Sequence, residues 1–99
     1  MSRCSVTTVW SLSDDNVDTA SRDRQFRERI VPELQAMPGF VHGVWARTPD
    51  GSRSQQMIVF ENHRSADALL AHIEANKAES AAVGVRLESL EILDVVASA

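Results

Sequence analysis

Tyrosine does not occur in this sequence, and cysteine and lysine occur once each. A lone Cys4 excludes an internal disulfide and leaves no paired thiols for a zinc motif. The absence of tyrosine removes the phenol that often serves as an acid–base group. Ten basic residues stand against fourteen acidic ones, for a net charge of −4. The basic face of a nucleic-acid binder is missing, and so is the attraction that anionic membranes need. No stretch approaches the roughly 20 apolar residues of a membrane span, and the first residues hold no signal-peptide core. The expected location is therefore cytoplasmic. A Gly-rich phosphate loop and a nucleophile elbow are missing too: "DGSR" at residues 50–53 reads as a hairpin turn.

What is present is an ordinary globular composition, 43% hydrophobic and 24% charged over 99 residues. That length is expected to form one domain, 1–99. A chain this short buries a limited core, so pairing with a second copy is a natural way to cover more apolar surface.

Periodicity gives the order of elements. Ser5–Leu12 is rich in β-branched residues and puts Val6, Thr8, Trp10 and Leu12 on one face, which predicts a strand. The polar "SDDN" caps a helix from about Val17 to Met37, with Phe26, Ile30, Leu34 and Met37 on its apolar face. Asp18/Arg22, Asp23/Arg27, Arg24/Glu28 and Arg29/Glu33 are four residues apart, each pair worth about 0.2–0.5 kcal/mol. That side reads as solvated. Pro32 removes the bond to the carbonyl of Glu28 and predicts a kink or break. Pro38-Gly39 ends the helix, with Gly39 free to cap it.

"FVHGVWART" and "SQQMIVFE" flank the turn "PDGS" and predict a hairpin over residues 40–61. Ser65 is the expected cap of a second helix whose stripe is Ala66, Leu69, Leu70 and Ile73, fading near Ser80 to Gly84. A long last strand, "VRLESLEILDVVA", has Val85, Leu87, Leu93 and Val95 on one parity and Leu90, Ile92 and Val96 on the other. A strand apolar on both faces is covered on both.

The resulting βαββαβ order predicts an α+β, ferredoxin-like fold: a four-stranded antiparallel sheet with two helices on one face. The bare sheet face then needs a partner, most simply a second copy about a two-fold axis. A charge placed at Leu93 or Val95 should disrupt such a dimer.

"VPELQAMPGFVHGVWAR", "MIVFENHRSADALLAH" and the long last strand resemble the dimeric α/β-barrel proteins, in particular those related to antibiotic-biosynthesis monooxygenases. The resemblance implies a homodimer whose sheets close into a barrel, with a ligand cavity between each sheet and its helices. It also implies cofactor-independent oxidation of an aromatic or polyketide-like substrate by groups such as Asn and Trp. With no tyrosine, a histidine takes the part of the base. On that reading His72 and Asn62 are the catalytic candidates, and Trp10, Trp45, His42 and His63 contact the substrate. His42 and Trp45 have opposite parity, so one should face the helix-side cavity and the other the dimer barrel. No metal and no cofactor are expected, because His42, His63 and His72 are too scattered for a zinc site. Two other readings stand beside it. One is a non-catalytic ligand-binding or stress-related homodimer of the same fold. The other is haem degradation, for which the first strand lacks the usual Asn and the second helix the usual Trp.

Overall fold

The computed structural model describes residues 3–13 and 19–98. The expected capping stretch Asp14, Asp15 and Asn16, with Val17 and Asp18, lies outside them. The elements are β1 (Cys4–Leu12), α1 (Thr19–Gln25), a π-helical turn (Phe26–Ile30), α2 (Val31–Gln35), β2 (Phe40–Arg47), β3 (Arg53–Phe60), α3 (His63–Ala82) and β4 (Val85–Asp94). The strands form one sheet in the order β2-β3-β1-β4, every neighbour antiparallel. This is the ferredoxin-like arrangement, with the helices packed on one face.

The core lies between α3 and the middle of the sheet. Cys4, Val6, Ile58, Phe60, Ala66 and Leu69 are buried there, and Leu34, Met37, Phe40, Leu90 and Ile92 pack around them. Phe40 meets Phe60 edge to face, with ring centroids 6.4 Å apart and planes at 85°. Gly39 takes φ +81°, and a Cβ there would stand 2.6 Å from the Ser65 hydroxyl. The Pro-Gly stop thus brings β2 against the start of α3.

Three local expectations are corrected. Pro32 does not break its helix. The turn before it widens instead, Val31 N–H bonding back to the Phe26 carbonyl, and Pro32 falls in the first turn of α2, where its missing N–H costs little. The cap of α3 is Asn62, not Ser65. Asn62 has extended backbone and its Oδ1 accepts the Ser65 N–H at 2.9 Å, so the helix begins two residues before Ser65.

In β4 a register shift opposite Val9 and Trp10 realigns the parity. Val85, Leu87, Leu90 and Ile92 pair with Leu12, Trp10, Thr8 and Val6 and so share the helix-side face. Leu93 is left on the outer face, while Val95 and Val96 lie beyond the strand. Most of the double-sided apolar pattern is therefore one face interrupted by a bulge.

Candidate functional site

Between the sheet and the first helical segment lies a cavity of about 670 Å³. It exists because that segment stands off the sheet. Leu34 and Met37, at its carboxyl end, pack on the core, while Phe26, Ile30 and Val31 line the open space. The π turn forms part of this wall, and such turns recur at functional sites.

The floor comes from strand alternation. Trp10 on β1 and Trp45 on β2 both point to the helix side, with Gln56 of β3 cross-paired to Trp45. Trp10 Nε1–H donates to Thr8 Oγ1 at 2.9 Å, and Thr8 Oγ1 lies 3.5 Å from the acceptor Gln56 Oε1. That chain fixes the Trp10 ring. Trp45 lies across Gly43 of its own strand, where a Cβ would come within 2.6 Å of the indole Cη2. The Nε1 of Trp45 is buried and has no hydrogen-bond partner among the described residues. Leaving a buried N–H without an acceptor costs free energy.

The rim is charged. Among the described residues, Arg22, Arg27 and Arg47 line it with one carboxylate, Asp23, on a chain that is acidic as a whole. Arg47 reaches from β2 to grip Asp23 of α1 with two bonds, Nη1–Oδ1 at 2.9 Å and Nη2–Oδ2 at 3.3 Å. The hydrogen bond from Arg47 holds the Asp23 carboxyl below its ordinary pKa and raises that of Arg47. Asp23 thus makes its hydrogen-bonded contact between α1 and the sheet, with Arg27 a weaker electrostatic neighbour. Of the helix side read as solvated, Arg22, Asp23 and Arg27 line the cavity, while Arg24, Glu28, Arg29 and Glu33 are exposed as expected.

Among the six candidates from the sequence, Trp10 and Trp45 line this cavity and the other four do not. His42 pairs with Val59 on the outer sheet face and is exposed, opposite to Trp45, as parity required. Asn62 is committed to capping α3. His63, the first residue of that helix, bonds through Nε2 to Asp94 Oδ1 at 3.1 Å. His72 is exposed on α3, its backbone carbonyl accepting the Asn76 side-chain amide at 2.8 Å. Sequence reasoning missed Arg22, Arg47, Phe26 and Gln56. A signal was available for Arg47, which lies two residues from Trp45 on one strand and so shares its face.

No family model matches the chain, and no curated protein sequence matches it. Solved structures do. A dimeric ferredoxin-like protein from an uncultured marine organism is 12% identical, covers 100% of both chains and superposes with a TM-score of 0.67. MupZ from Pseudomonas fluorescens is 10% identical over 91% of this chain and 69% of its own, with a TM-score of 0.66. NE2512, a protein of unknown function from Nitrosomonas europaea, is 19% identical over 100% of this chain and 94% of its own, with a TM-score of 0.65. Likeness at such identity is one of fold. It supports the ferredoxin-like architecture and leaves the narrower monooxygenase resemblance without a family match.

Proposed function

We propose that this chain is a homodimeric binder of small amphiphilic acids, with an aromatic or polyketide-like body and an anionic group. The observation that carries this reading is the cavity itself. Its floor holds two indoles, its rim holds three arginines, and its volume of about 670 Å³ falls within the range usual for small-molecule sites. The body of the ligand stacks on Trp10 and Trp45, and its charge lies among the arginines.

The dimer rests on the outer sheet face. Val44, Met57 and Leu93 are 50%, 44% and 40% exposed on three different strands of that face, apolar surface that a second copy would cover. The dimeric ferredoxin-like protein, whose match covers all of both chains, supports pairing with a second copy.

An oxygenase acting in this cavity needs a base within reach of the ligand. Among the described residues lining it there is no histidine, and its one carboxylate is held ionised by Arg47. Binding without turnover is therefore the better-supported reading.

A thermal-shift screen of aromatic carboxylates and sulfonates, their neutral analogues, haemin and flavins tests it. A ligand specific to the native state at a hundredfold excess over its Kd stabilises by about 2.7 kcal/mol. Aromatic acids should shift the melting temperature more than their neutral analogues. Arg22→Gln, which leaves the Asp23–Arg47 pair intact, should shrink that preference. A shift with haemin alone, or with nothing, would refute the assignment. Oxygen uptake with a stabilising ligand would restore the oxygenase reading.

A further inference from the structure

Cys4, His63 and Asp94 are far apart in sequence, and no spacing motif connects them. The fold puts a ligand atom from each within 4.8 Å of the other two. Two of the three are fixed by the sheet: Cys4 opens β1, Asp94 closes β4, and they are direct antiparallel partners. His63 arrives from the other side of β1, because Phe60, three residues earlier on β3, is the second partner of Cys4. Its imidazole is already 3.1 Å from the carboxylate.

We propose that Cys4, His63 and Asp94 form a binding site for a borderline divalent metal ion such as Zn²⁺. One thiolate, one imidazole and one carboxylate are a zinc-type donor set, and three protein ligands leave a fourth position for water. The thiol is buried at the floor, while His63 and Asp94, 59% and 67% exposed, form walls open to solvent.

The Asp94 and Asp67 carboxylates lie near the thiol, so a cation bound there meets negative charge. The site lies at the paired ends of β1 and β4 and shares no residue with the tryptophan-lined cavity, so it stands or falls independently of the ligand proposal.

Cobalt titration of the full chain, after dialysis against a chelator, tests it. One Co²⁺ per chain should bind with a thiolate-to-cobalt charge-transfer band and visible d–d bands, and Zn²⁺ should displace it. His63→Ala and Asp94→Asn should each weaken binding by more than about 100-fold, the loss that outer-shell partners reach at their upper end. Both side chains are exposed, so these variants should fold even if Cys4→Ser, in the core, does not. Absence of the charge-transfer band at stoichiometric cobalt would overturn the site. So would affinity unchanged in both exposed variants, which would leave His63–Asp94 as an ion pair above a structural thiol.

Discussion

Gly43 is the residue on which the cavity floor depends most closely. The Trp45 indole lies where a Cβ on Gly43 would have to stand, with Ile58 Cδ1 on the other side at 3.3 Å. Gly43→Ala should push the ring toward the helical wall and destabilise the fold by about 1–3 kcal/mol, as overpacking does. Denaturant titration measures the loss, and a changed emission maximum reports the moved indole. At the hairpin turn, Asp50 accepts bonds from the Ser52 N–H, the Ser52 hydroxyl and the Thr48 hydroxyl, at 2.9, 2.7 and 2.7 Å. These bonds lower its pKa to about 2. A depressed carboxyl stabilises the fold above its unfolded pKa and loses that contribution as pH falls through the folded value. The melting temperature of Asp50→Asn should therefore lie below wild type at neutral pH, and the gap should close between about pH 4 and pH 2. A gap independent of pH would mean the turn does not depend on the carboxylate.

Among the elements, α3 is anchored by its cap and α1 by an ion pair. Asn62→Ala should cost about 0.5–2 kcal/mol, measured by chemical denaturation. Asp23→Asn should leave global stability nearly unchanged but speed amide exchange across α1 and the π turn, because it releases the contact to Arg47 at the cavity mouth. The strands, their order and the two helical regions were legible because alternation and helical spacing are local signals. The bulge in β4 was not: no Gly or Pro marks it, and pairing with β1 alone determines it. The start of α3 was misplaced because Asn62 and Ser65 are both good caps, and only the extended backbone at Asn62 decides between them. Parity put His42 and Trp45 on opposite faces but did not say which of them takes the cavity side. The arginine rim was hidden by acids at helical spacing, which offered each guanidinium a local partner. Cys4, His63 and Asp94 come together only through the long-range pairing of β1 with β3 and β4.

At the scale of the whole molecule, the helices cover one sheet face and leave Val44, Met57 and Leu93 on the other. Leu93→Asp places a charge where a second sheet is expected to pack, and burying it unpaired is costly. Light scattering should find twice the chain mass for wild type and a single chain for this variant. A variant that stays dimeric would locate the interface elsewhere. No helix among the described residues is long and apolar enough to cross a membrane. The cavity and the proposed interface lie on opposite faces of one sheet, so ligand binding should survive dissociation of the dimer.

The most direct test of the central claim follows 1-anilinonaphthalene-8-sulfonate, an aromatic anion of the proposed class, by energy transfer from Trp10 and Trp45. These are the two tryptophans of the chain, and both line the cavity. The account predicts saturable binding of one probe per chain. Transfer should drop with Trp10→Phe and again with Trp45→Phe, and affinity should weaken in Arg22→Gln. Weak, unsaturable binding that ignores all three substitutions would contradict it.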